Sequence, residues 1–267
     1  SRSGTGHVNS EPPLLIIAPL AGDFNLAHLP WPESASGKIS VNDAKFNELD
    51  MVEVILDGMP FLLSHYTADE TARRFAAQTF DPLFTGLPTP DESSIGVAPR
   101  DILTSARHLP EINHRILLLG KWIGEAVDAT AAAWTPSHRI TNFLYFDETV
   151  VEYLDGGPFP ALFQTSFSEV REGYYITTGL HYFAGQEIRL TAPPDYTPAD
   201  VADRLVRIID DFASHGTIDK PARAKGMAEG ETLIFSPSDD LAHVDISINN
   251  CAVNADQAKM RPEPRRR

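Results

Sequence analysis

Cysteine is almost missing from this chain: Cys251 is the only one in 267 residues. No intrachain disulfide can form and no thiolate zinc cage can be assembled. A reducing compartment is the simplest setting, so a cytoplasmic location is expected. Long apolar runs are missing as well. The run Leu14–Ala18, extended across Pro19 to Leu20, falls far short of the ~20 residues that span a bilayer. Glu11 and two prolines precede it where a secretory signal would be basic. Positive charge is scarce: 22 Lys and Arg stand against 37 Asp and Glu, leaving a net charge of −15 and a pI near 4.9. Nucleic acids and anionic membranes are held through basic footprints, so neither is an expected partner. A basic protein is.

Standard catalytic signatures fail in turn. At Gly37-Lys38, Pro32 stands where the first glycine of a phosphate loop belongs and Ile39 where its hydroxyl belongs. There is no dinucleotide-type glycine triplet after a strand and no Gly-x-Ser-x-Gly elbow. Nine histidines carry no ligand spacing; His108 and His114 are six apart, off one helical face. No metal and no cofactor are expected.

What is present is a globular composition, 42% hydrophobic and 22% charged. Residues 14–20 read as a strand, and 22–50 as a loop or weak helix. Residues 51–56 and 59–66 flank Asp57-Gly58, the pair that tolerates the positive φ of a tight hairpin turn. Thr67 with Glu70 forms a capping box for a helix whose stripe is Ala72, Phe75, Ala76 and Phe80. Residues 81–110, rich in Pro, Gly, Ser and Thr, read as a surface excursion. Residues 111–133 repeat Ile112, Ile116, Leu119, Ile123, Val127 and Ala131 at helical spacing. Residues 141–146 read as strand, and 147–154 as a short helix or a strand extension.

Strands are expected at 161–169, 174–178 and 187–191. Thr197, Pro198 and Asp200 then start a helix with Val201, Leu205, Ile208, Ile209 and Phe212 on its apolar face. Asp200/Arg204 and Asp203/Arg207 are spaced as helical ion pairs, and Gly216 stops the helix. A hairpin, 231–236 with 243–248, closes the domain. Grouped strands and helices indicate an α+β fold, a mainly antiparallel sheet packed against two or three helices, with two related hairpin–helix halves at 51–80 and 174–213. The expected layout is a flexible segment 1–13, a single domain 14–250 and a tail 251–267.

Candidate sites are few. Asp240 and His243, with Cys251 eight residues after the histidine, contain the parts of an activated thiol; turn and core roles explain the same residues. Glu148 and Glu152, four apart, share a face if helical and form either an acid–base pair or a solvated acidic face. Thr178, His181, Gln186 and Glu187 gather polar groups around a glycine-containing link between apolar strands, as a recognition surface or a hydrogen-bonded corner.

Thr177-Thr178-Gly179-Leu180, Gly185-Gln186-Glu187-Ile188, the following helix and Gly230-Glu231-Thr232 resemble the bacterial domain-of-unknown-function 4261 family, over residues 50–250. Gln186 stands where that pattern is more often apolar. The resemblance implies an intracellular bacterial protein with no established activity, in a family some of whose members accompany secretion-system or toxin–immunity clusters. The expected function is a non-enzymatic interaction module, immunity-like or accessory, that meets a basic partner through an acidic surface. The alternative is a hydrolase or transferase using Cys251/His243 or His181/Glu187.

Overall fold

Leu14–Ala18 forms strand β1, and all five residues are buried. After it come β2 (Ile39–Asn42), β3 (Met51–Leu56), β4 (Met59–Tyr66), α1 (Ala68–Ala77), β5 (Asp81–Leu83) and β6 (Ser93–Pro99). A one-turn α2 (Asp101–Thr104), α3 (Pro110–Ala126), β7 (Ala131–Trp134), β8 (Arg139–Asn142), α4 (Phe143–Leu154) and a one-turn α5 (Ala161–Gln164) follow. The computed structural model describes residues 11–42 and 51–250. The chain divides into two compact units, Ser1–Phe163 and Gln164–Arg267, a boundary absent from the single-domain expectation.

In the first unit the strands lie in the order β2-β3-β4-β6-β1-β7-β8-β5, antiparallel except for β5 beside β8. The continuous apolar run of β1 follows from coverage of both its faces. Leu15 and Ile17 join Phe75, Phe80, Ala131, Ala133 and Ile140 in one core. Leu14 and Ile16 point the other way, toward Gly120 of α3 and Phe146 of α4. A strand buried on both faces has no polar side and shows no alternation.

The 51–66 hairpin and the Thr67–Glu70 capping box form as expected, with φ of 49° at Asp57 and 78° at Gly58. Other expectations need correction. The excursion 81–110 contains β6, an interior strand. Its Ser94 and Gly96 sit on the α1 side; Ser94 Oγ lies 2.8 Å from Thr71 Oγ1, and a Cβ on Gly96 would meet Pro12 Cγ at 2.6 Å. Small polar residues permit that close approach and disguise the strand. Thr71 and Phe75 form the buried face of α1, whereas Ala72 and Ala76 are exposed. The helix expected over 111–133 stops at Ala126, and its alanine-rich end is strand β7. Of residues 141–146, expected as strand, only Thr141 and Asn142 are, at the end of β8; α4 begins at Phe143, capped by Asn142. Glu11–Pro13, expected in a flexible segment, pack instead: Glu11 bonds Arg74 and Gln78, and both prolines are buried.

The second unit has β9 (Ser166–Arg171), β10 (Tyr174–Thr178), a one-turn α6 (His181–Ala184), β11 (Glu187–Thr191), α7 (Pro198–His215), β12 (Ala222–Lys225), β13 (Glu231–Pro237) and β14 (His243–Asn250). The strand expected over 161–169 is thus divided between α5 and β9. The order is β12-β13-β14-β11-β10-β9, with β11 and β14 parallel and the other pairs antiparallel. The capped start of α7 and its five buried apolar residues agree with the expectation. Each unit holds an antiparallel strand pair followed by a capping-boxed helix, joined tightly at Asp57-Gly58 and through α6 in the second case. Two mainly antiparallel sheets with helices make this an α+β protein.

Candidate functional site

The corner between β10 and β11 is built around the Glu187 carboxylate. Its Oε1 accepts hydrogen bonds from the Gly179 N–H (2.7 Å) and the His181 N–H (3.2 Å), and lies 2.8 Å from His181 Nδ1. Oε2 accepts from Thr177 Oγ1 at 2.6 Å, and that hydroxyl in turn accepts from the Ile188 N–H. Burial pushes the Glu187 carboxyl up, but the hydrogen bonds from His181 and Thr177 outweigh it and hold the group below its ordinary value. The expected cluster is therefore brought together in part. Glu187 and His181 meet, Thr177 takes the place given to Thr178, and Thr178 is exposed.

Gln186 serves a different contact. Its buried amide donates to the Ile218 carbonyl and accepts from the Ile218 N–H, both at 2.9 Å, which holds the segment leaving α7. Thr217 Oγ1 adds a bond to the Ala184 carbonyl at 2.7 Å. A carboxylate orienting an imidazole is half of an acid–base dyad, but this carboxylate also ties down two backbone N–H groups and a threonine. Its primary work is to close the corner.

A pH prediction follows from the depressed Glu187 carboxyl. A group whose folded pKa lies below its unfolded value stabilises the fold above the unfolded value, and that stability disappears as pH falls through the folded one. Glu187→Gln is expected to cost about 1 kcal/mol at neutral pH and to flatten the acid limb of stability against pH. Urea unfolding by circular dichroism between pH 3 and 7 measures it; an unchanged acid limb contradicts the assignment.

Asp240 and His243 come together at the β13–β14 turn. Asp240 Oδ1 accepts from Ser238 Oγ at 2.6 Å and from the Ala242 N–H at 3.0 Å, bonds that lower its pKa and close the β13–β14 turn. His243 joins the same turn through its backbone, bonded to Ser238 Oγ. Cys251 lies outside the described residues. Among the described residues no group of three or more His, Cys, Asp or Glu is placed to hold a metal, and no helix is long and apolar enough to cross a membrane.

A surface that the sequence reading missed lies at the start of α4. Phe84, just after β5, has a φ of 60°, a left-handed backbone that a bulky residue adopts only under constraint. Asn142 supplies that constraint: its Nδ2 donates to the Phe84 carbonyl at 2.9 Å while its Oδ1 accepts from the Tyr145 N–H. Phe84 is 67% exposed, and its ring lies 5.1 Å from the Tyr145 ring. Leu144 and Val151, 66% and 48% exposed, continue the outer face of α4 with Glu148 and Glu152. Lys121 engages neighbouring Asp147 at 2.6 Å, whereas Glu148 and Glu152 have no ion pair among the described residues. The expected Glu148/Glu152 face thus exists, helical and beside exposed apolar groups. The one sequence cue to Phe84 was an aromatic residue within a Pro/Gly/Thr-rich stretch.

In the second unit a cavity of about 380 Å³ opens between α7 and β12–β13. Ile208, Phe212, Leu233 and Phe235 form its apolar floor, with the Phe212 and Phe235 ring centroids 6.3 Å apart. Glu231 and Arg204 lie at its wall. The Glu231 side chain is fully buried and takes Arg204 Nε at 2.9 Å, Arg204 Nη2 at 2.6 Å, Tyr196 Oη at 2.8 Å and the Met227 N–H at 3.2 Å. Arg204 is spaced for an Asp200 ion pair but bonds the Asp200 backbone carbonyl and gives its charge to Glu231. Burial raises the Glu231 carboxyl; Arg204, Tyr196 and Met227 more than reverse this and hold it low.

No family model, curated protein or solved structure matches the chain.

Proposed function

We propose that this is a non-enzymatic, cytoplasmic interaction module that engages a basic protein partner through the α4 surface of its first unit. The observation that carries the reading is Phe84, an exposed aromatic ring held on a constrained backbone beside unpaired carboxylates. Aromatic anchors supply most binding energy at interfaces, and surrounding charge speeds and directs encounter. The charge distribution supports the same surface. Residues 1–163 carry 21 acidic and 10 basic side chains, a balance of −11; residues 164–267 carry 16 and 12, a balance of −4. The family resemblance adds an immunity-like or secretion-system accessory role to this reading.

The test begins with capture from the native cell at low and moderate salt, followed by binding kinetics of the purified pair. Phe84→Ala is expected to weaken binding about tenfold or more, chiefly through faster dissociation. Glu148→Gln with Glu152→Gln is expected to slow association and reduce its salt dependence. A partner whose binding ignores both variants, or whose association rate ignores salt, overturns the reading.

A further inference from the structure

We propose that the half-open cavity between α7 and β12–β13 binds a small uncharged molecule with an apolar body and a single hydroxyl, an alcohol or a phenol. The gap has a local cause. In the β12–β13 register Ala222 lies opposite Phe235 and Ala224 opposite Leu233, and residues opposite one another share a face of the sheet. Phe235 stands 6.3 Å from Phe212 of α7, so that shared face is the one beneath the helix. At 222 and 224 the edge strand therefore offers α7 only methyl groups, and Arg223 and Lys225, which alternate with them, point away on the other face. Both alanines remain exposed, while Ile208, Phe212, Leu233 and Phe235 of the floor are buried. The resulting volume, about 380 Å³, falls in the range of small-molecule sites.

Opposite charges cancel in the lining, and that selects the head group. Glu231 in the wall is neutralised by Arg204. Arg207 and Asp211, one turn apart on α7, line the cavity with exposed side chains of opposite sign. His215, the remaining titratable residue that α7 contributes, has its Nδ1 2.9 Å from the Asp211 carbonyl oxygen. A carboxylate or an ammonium at this rim meets one attractive and one repulsive neighbour, and gives up hydration for no net gain. A hydroxyl both donates and accepts, so the Arg207 guanidinium can donate to it while the Asp211 carboxylate accepts from it. The apolar body then covers the floor, where burial of hydrocarbon supplies the affinity. Ile218 of the lining is held by the Gln186 amide through two 2.9 Å hydrogen bonds. Gln186 thereby takes a part in shaping the site.

The test is calorimetric titration of the full chain with decanol, against decanoate and decyltrimethylammonium as anionic and cationic controls below their micellar concentrations. Saturable one-to-one binding of decanol, about tenfold or more tighter than of either ion, is expected. Asp211→Asn removes one of the two opposed charges and should raise the affinity for decanoate relative to decanol about threefold or more. Arg207→Gln should do the same for decyltrimethylammonium. Ala224→Trp, which fills the gap from an edge strand that tolerates aromatics, should abolish decanol binding; its circular dichroism and urea midpoint verify the fold. Absent saturation, an ion that binds as tightly as decanol, ratios that the two rim variants leave unmoved, or full binding by the Ala224→Trp chain each overturns the proposal. Sedimentation velocity supplies the last outcome: a chain that is dimeric as it stands and monomeric as Ala224→Trp overturns it, because a second copy would then fill the cavity.

Discussion

Arg204→Ala is expected to lower the stability of the second unit by about 3–5 kcal/mol at neutral pH, the cost of leaving a buried carboxylate without its counter-charge. Glu231 is wholly buried, and Arg204 grips both its oxygens. With the guanidinium gone, Tyr196 and the Met227 N–H cannot balance the desolvated charge. Removing both partners as a well-packed pair, Arg204→Met with Glu231→Leu, recovers most of the loss, because no charge is then stranded. The pH signature separates the two variants. An unpaired buried carboxyl has a folded pKa above its unfolded value, so its penalty fades as the group takes up a proton. The deficit of Arg204→Ala therefore narrows toward pH 4, whereas the double variant shows no such recovery. Trp31, Trp122 and Trp134 all lie in the first unit, so far-ultraviolet circular dichroism, not tryptophan fluorescence, must follow the urea transition. A single-variant loss below about 1 kcal/mol contradicts the buried-pair assignment.

Gly120→Ala, a substitution that stabilises an ordinary helix by about 1 kcal/mol, is expected to destabilise here by about 1–3 kcal/mol. A Cβ at this point of α3 would lie 2.5 Å from Leu14 Cδ2 and 3.1 Å from Phe146 Cζ. Leu14 and Phe146 are 0% and 1% exposed, so neither has solvent to move into. The melting temperature read by tryptophan fluorescence is expected to fall about 2–4 °C per kcal/mol lost. Phe146→Leu, placed in the Gly120→Ala background, should return part of it. A rise in melting temperature for the single variant would show that α3 does not approach β1 this closely.

The same crowding explains which elements were legible in the sequence. The 51–66 hairpin, both capping boxes and the α7 stripe depend on neighbouring residues, and each reads directly. β6 and β7 do not. Ser94 is small where Thr71 of α1 meets it, Gly96 where Pro12 and Tyr66 do, and Ala131 and Ala133 where they share a core with Phe75 of α1, and smallness removes the β-branched bulk and alternation by which strands are recognised. Alanine at 131–133 then favours a longer α3 on propensity alone; tertiary packing wins over it.

At the sites the division is similar. The gathering of polar residues at 177–187 is visible, because its glycines and hydrogen-bonding side chains are close in sequence. Its purpose is not, since Gln186 acts on Ile218, 32 positions away. Phe84 depends on Asn142 across a parallel pairing, and the Glu231 carboxylate depends on Arg204, 27 positions before it. Separated residues leave no spacing to read.

The central place of β1 has a consequence for biosynthesis. This strand leaves the ribosome well before either neighbour in its sheet, residues 93–99 and 131–134. At ~5–20 residues per second the nascent Leu-Leu-Ile-Ile-Ala segment waits on the order of ten seconds for its second flank. Through that interval it is a sticky ribbon in search of a mate, and a shielding chaperone would find its handle there.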